Sequence, residues 1–103
     1  MIRNILLVED DEAIATVITA ALEDEGFAVH RCDSIDGRDR LLAGHSYQVM
    51  LTDVMLTDGD GIESLGQVRA DHPAMPIIIL SAQNTLDTAV RASENQALSL
   101  IHI

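Results

Sequence analysis

Three apolar runs, Ile5-Leu6-Leu7-Val8, Val49-Met50-Leu51-Thr52 and Ile77-Ile78-Ile79-Leu80, are too short for helices and lack a polar alternation. Such runs fit strands buried on both faces of a parallel sheet. Phe27 to Arg31 reads as a further strand, and Tyr47 starts the strand that runs to Thr52. Between the strands the period changes. Ile14, Val17, Ile18, Ala21 and Leu22 recur at helical spacing, with Asp11 as N-cap and Gly26 as the stop. Ser34 caps a second helix carrying Ile35, Leu41 and Leu42 and ending at Gly44. Residues 57–61 are a loop, and Asp60 with Glu63 forms a capping box for a helix that turns Ile62, Leu65 and Val68 inward. Pro73 and Pro76 bracket a turn before the fourth strand, and Asn84 or Thr85 starts a last helix with Leu86, Ala89 and Val90 inward. The order βαβαβαβα predicts an α/β fold: a doubly wound parallel sheet with helices on both faces.

The strand ends carry the candidate chemistry. Glu9-Asp10-Asp11 follows the first strand, Asp53 closes the third, and Ser81 follows the fourth. In open α/β sheets, ligands bind at the carboxyl edge. Carboxylates gathered there repel one another unless a cation or a proton intervenes. A hard, oxygen-seeking cation such as Mg²⁺ suits them and brings phosphate with it. A carboxylate beside such a metal can attack a phosphoryl group, and Ser81 can donate to a phosphoryl oxygen. Any one of these acids is as well explained as a helix cap or a solvated turn. Glu9, Asp10, Asp53 and Ser81 together, in this order, are not.

Charge narrows the partners. The 103 residues suffice for one domain, with a formal net charge of −11. All six basic residues are arginine, and so acidic a surface argues against direct contact with nucleic acid or an anionic membrane. Cys32 is alone, which excludes an internal disulfide and fits a reducing, cytoplasmic location. The first residues lack the apolar stretch of a signal peptide, and no apolar run is long enough to span a membrane.

The motifs Leu7-Val8-Glu9-Asp10-Asp11-Glu12, Leu51-Thr52-Asp53-Val54-Met55 and Ile79-Leu80-Ser81-Ala82 resemble those of response regulator receiver domains, the CheY-like (flavodoxin-like) fold. The resemblance implies strand order 2-1-3-4-(5). It implies that Asp53 accepts a phosphoryl group from a sensor histidine kinase. Mg²⁺ would be held by Asp10, Asp53 and the Met55 carbonyl, with Glu9 acting through water and Asp11 completing the acidic pocket. Ser81 would be the switch hydroxyl. The stretch from Ser81 to Leu86 and from Thr88 to Glu94 is similar to alphaproteobacterial nitrogen regulators of the NtrC type. That similarity implies an NtrB-like kinase, a homodimer through the receiver in the intact protein, and a transcription-activating output. It implies no direct nucleic-acid contact by this domain. Phosphotransfer would be partly self-catalysed, without turnover of an external substrate.

Two departures stand out. Where the family usually carries proline two residues beyond Met55, this chain has Thr57. In register, Ile103 occupies the place of the family lysine that contacts the phosphoryl group, and the family's own fifth strand and fifth helix are missing. The six residues Leu98 to Ile103 can be encoded by CTG TCT CTT ATA CAC ATC, which reads like a transposon end used in sequencing libraries. Residues 1–97 are therefore expected to be an incomplete receiver, and residues 98–103 a non-native tail able to pair as a makeshift fifth strand. Two rival functions remain. One is a docking or dimerisation module independent of phosphorylation, favoured by the missing lysine. The other is a Mg²⁺-dependent phosphatase with an aspartyl nucleophile, disfavoured because Met55 stands where a second acid is wanted.

The remaining polar residues read more plainly. The stretch 58–61 looks like a calcium loop, but its twelfth position is Arg69, so a turn with a helix cap is expected. His30, His45, His72 and His102 have no ligand spacing. Arg31, Arg38, Arg40 and Arg69 read as solvated charges, Cys32 as structural, and Gly66 as a point of close packing.

Overall fold

The computed structural model describes residues 3–81 and 99–102. Strand β1 (Asn4–Val8) leads into helix α1 (Glu12–Asp24), β2 (Ala28–Cys32) into α2 (Ile35–Gly44), and β3 (Val49–Asp53) into a small ladder of β4 (Met55–Leu56) with β5 (Gly59–Asp60). Helix α3 (Leu65–Asp71), β6 (Ile77–Ser81) and β7 (Ser99–His102) follow. The main sheet is parallel, in the order β2-β1-β3-β6-β7. Counting only its own strands, this is the expected 2-1-3-4-5. Ser99 to His102 pair with Ile78 to Ser81 and take the edge position that the sequence left to a makeshift strand. The helix expected from Asn84 or Thr85, and Ile103, lie outside the described residues.

The continuous apolar runs are continuous because both faces of the sheet are covered. Successive side chains of a strand point to opposite faces. Leu6 and Val8 pack with Met50, Ile77 and Ile79 against Leu42 of α2 and Leu65 and Val68 of α3. Leu7, one residue out of phase, packs with Leu80 against Ala15 of α1, with Ile18, Val29 and Leu51 at the margin.

The elements depart from the sequence pattern at several points. Strand β2 begins at Ala28, because the Phe27 amide still bonds to the Leu22 carbonyl in the turn closed by Gly26 at φ 93°. Strand β3 begins at Val49 rather than Tyr47, whose hydroxyl lies 2.7 Å from His30 Nδ1. Along α1, Ala15 is buried and Ile14, Ile18 and Leu22 are half-buried, while Val17 is 70% exposed and Ala21 is exposed. The last two flank the inward stripe rather than lie on it. Helix α3 begins at Leu65. Asp60 Oδ1 accepts from the amides of Ile62 (2.8 Å) and Glu63 (3.2 Å), so it caps the preceding turn and not the helix. Ile62, Leu65 and Val68 are buried as expected. Gly66 is not a point of close packing: a Cβ there would meet open space.

The arginines are the largest correction. Arg38 is 2% exposed. Its Nη1 donates to Ser64 Oγ at 2.7 Å, and its Nε and Nη2 donate to Asp39 Oδ1 at 3.0 and 2.8 Å. A buried charge is tolerable only when paired and hydrogen-bonded, and here it ties α2 to the residue before α3. Arg69 Nη1 donates to the carbonyls of Met75 (2.6 Å) and Pro73 (3.2 Å), fixing the turn into β6. Arg40 alone fits the solvated reading: it is exposed, as is its partner Asp36, and such a pair contributes little.

Candidate functional site

The parallel register brings the ends of β1, β3 and β6 to one edge, with Val8 beside Thr52 and Asp53 beside Leu80. One residue beyond Val8 the chain enters Glu9, whose amide donates to the Cys32 carbonyl (3.0 Å). The Glu9 carbonyl is gripped by Arg31, from Nε at 3.1 Å and Nη2 at 2.9 Å. Arg31 thus anchors the end of β1 to β2 and is not simply solvated. With its backbone fixed from that side, the Glu9 side chain is directed into the site and is 1% exposed.

Glu9, Asp10 and Asp53 each offer a carboxylate oxygen within 4.8 Å of the others. Glu9 is buried, Asp53 half-buried and Asp10 exposed. Among the described residues no ion pair involves any of the three. Burial first, then the neighbouring Asp53 and Asp10, push Glu9 up from 4.5 to about 7, although the Asp11 amide donating to its Oε2 (3.1 Å) pulls the other way. Burial likewise raises Asp53 above its ordinary value, and the charge of Asp10 adds to it. The Val54 amide, donating to Asp53 Oδ1 at 2.7 Å, opposes the rise.

Among the described residues these carboxylates have no cationic partner, and an oxygen-seeking divalent ion suits that donor set. Asp11, grouped with them in the sequence, does a different job. Its Oδ1 caps α1 by accepting from the Ile14 amide (3.0 Å), and it lends the site its own amide rather than its carboxylate. The backbone of Ser81 ends β6 at this same edge.

A profile of the response regulator receiver domain matches residues 5–102. The chain belongs to the response regulator receiver family. It is 36% identical over 98 residues to the DNA-binding transcriptional regulator NtrC of Azospirillum brasilense, covering 95% of this chain and 20% of that protein. This receiver therefore spans about a fifth of the length of that relative. Among solved structures it is similar to a CheY-like receiver domain from Methanospirillum hungatei (TM-score 0.93, 25% identity, 99% of this chain and 82% of that one). It is also similar to the BeF3-activated receiver domain of RstA from Klebsiella pneumoniae (TM-score 0.91, 25% identity, 97% and 85%).

Around the receiver site, three features escaped the sequence reading. Thr57 and Asp58 reach from the loop after Asp53 to the start of α2. Gly61 packs against the Asp53 backbone. The scattered histidines partly meet: the His30 and His45 rings lie edge to face at 5.0 Å, and Tyr47 joins His30 at 5.3 Å. Cys32 is half-buried, and burial raises its thiol to about 11, which keeps it an inert packing residue. Among the described residues no helix is long and apolar enough to cross a membrane.

Proposed function

We propose that this receiver accepts a phosphoryl group on Asp53 from a sensor histidine kinase and passes the signal to a transcription-activating output of the NtrC type. The supporting observation is the cluster of Glu9, Asp10 and Asp53 at the carboxyl edge, drawn within 4.8 Å with no ion pair to any of the three among the described residues. The Val54 amide orients the Asp53 carboxylate through Oδ1, and the carboxylate attacks phosphorus as the bond to the donor's histidine nitrogen breaks. Asp10, Asp53 and the Met55 carbonyl would hold Mg²⁺, with Glu9 acting through water. When bound, the ion neutralises charge between two anions as the bond forms. Ser81, at the end of β6, would donate its hydroxyl to a phosphoryl oxygen and bias the neighbouring face between two states. In the intact protein the receiver would dimerise, in the cytoplasm, with an NtrB-like kinase as donor. The domain turns over no external substrate.

Acetyl phosphate with Mg²⁺ should label the chain, as read on a phosphate-affinity gel, and Asp53→Asn should abolish the label. A folded natural chain that takes no label would instead be a docking module, the reading that Ile103 in the lysine position favours. Residues 98–103 we read as a non-native tail after a receiver of residues 1–97. Sequencing the source DNA past the codon for Ala97 should show a different continuation; a stop codon after Ile103 would sink that reading.

A further inference from the structure

The Met55 carbonyl is the ligand that the fold controls least. Met55 is 62% exposed, so burial of its side chain does little to fix the backbone. It opens the β4–β5 ladder, which pairs Met55 with Asp60 and Leu56 with Gly59 around a two-residue tip, Thr57-Asp58. An isolated ladder of this size is not stable by itself, and Gly59, at φ 153°, adds freedom rather than order.

What holds the tip is α2. Asp58 Oδ1 accepts from the Ile35 amide at 2.7 Å and Asp58 Oδ2 from the Asp36 amide at 3.0 Å. Thr57 Oγ1 donates to the Asp33 carbonyl at 3.2 Å. Ser34, the local N-cap, accepts from the Gly37 amide (3.0 Å). Two orphan donors at the start of α2 are thus satisfied by a carboxylate more than twenty residues away in sequence. Favourable charge at the positive end of the helix strengthens the bond. The other end of the loop is held by the Gly61 amide donating to the Val54 carbonyl at 2.6 Å.

We infer that Asp58 is a positioning residue: by clamping the loop tip to the start of α2 it fixes the Met55 carbonyl for the cation. The inference rests on the metal site proposed above, which has its own arm in the test. Three proteins suffice: the unsubstituted chain, Asp58→Ala and Ser34→Ala. Both variants remove a cap from α2, but only Asp58→Ala frees the loop. Mg²⁺ binding is read by calorimetry, and protection of the Gly61 amide by hydrogen exchange without metal.

Asp58→Ala should weaken Mg²⁺ binding about tenfold, as loss of a group orienting a ligand does, and should deprotect the Gly61 amide. Ser34→Ala should lose helix stability and change neither. Equal binding and protection in Asp58→Ala and the unsubstituted chain would overturn the inference, as would equal losses in the two variants, which would reduce Asp58 to a helix cap. If the unsubstituted chain binds no Mg²⁺, the metal-site reading fails. The exchange data then decide the clamp alone: Gly61 deprotected only in Asp58→Ala upholds it, and unchanged protection overturns it.

Discussion

At pH 7.5 without divalent cations, Glu9→Gln should be more stable than the natural chain by about 2–3 kcal/mol. Glu9 is almost wholly buried, so solvent screens little of the effect. Its acidity is displaced, chiefly by burial, from 4.5 to about 7, and each unit corresponds to about 1.4 kcal/mol between the two protonation states. The folded chain holds the Glu9 proton more tightly than the unfolded chain does. Between pH 4.5 and 7 the native state therefore binds more protons, and stability falls as pH rises through that window. Glutamine keeps an oxygen for the Asp11 amide and has no charge to bury, so the advantage of the variant should vanish near pH 4.5. Asp53 is raised in the same direction, so Asp53→Asn should show a slope of the same sign. Mg²⁺ should stabilise the natural chain at pH 7.5 by mass action and narrow the gap. Urea midpoints at pH 5, 6 and 7.5, with and without Mg²⁺, measure all of this. A Glu9→Gln variant no more stable than the natural chain at pH 7.5 would show that Glu9 carries no such penalty.

The sheet and the acidic cluster were legible for one physical reason. A strand buried on both faces must be apolar at every position, so Ile5 to Val8 and Ile77 to Leu80 identify themselves. The first acid after such a run must then lie at the sheet's carboxyl edge. Caps were legible where they are local: Asp11 and Ser34 act within three residues of their own positions. What failed was long-range. Arg38 lies in a charged stretch between Asp36 and Arg40, and only the approach of Ser64, twenty-six residues on, makes its burial tolerable. Asp58 reads in the sequence only as part of a turn with a helix cap, because its partners, Ile35 and Asp36, belong to another crossover. Val17 fits the helical period, but the stripe that α1 turns to the sheet runs through Ala15, Ile18 and Leu22 instead. Periodicity reports that a face exists; it does not say where the face is centred.

The same substitution at two glycines, five residues apart, should have opposite signs. Gly66→Ala places a methyl group in open space within α3, and removing glycine's backbone freedom from a helix should add about 0.5 kcal/mol. Gly61→Ala should cost about 3 kcal/mol, as overpacking against a rigid neighbour does. A Cβ at Gly61 would collide with the Asp53 carbonyl oxygen and crowd the Val54 carbonyl (3.2 Å) and Thr52 Oγ1 (3.3 Å). None of these atoms can yield cheaply. Thr52 is fully buried and its hydroxyl donates to the same Asp53 carbonyl (3.1 Å). Val54 is held from both sides, its amide on Asp53 Oδ1 and its carbonyl on the Gly61 amide. The least costly relief is to push the end of β3 away from the loop, which moves the Asp53 carboxylate out of reach of Glu9 and Asp10. Gly61→Ala should therefore lose phosphorylation by acetyl phosphate about tenfold or more even where it is fully folded, since misplacing reacting atoms by an ångström costs about two orders of magnitude. Urea midpoints of both variants, with labelling rates at low temperature, make the comparison. Equal midpoints for Gly61→Ala and the natural chain, or an unchanged labelling rate in folded protein, would mean that the loop gives way without moving Asp53.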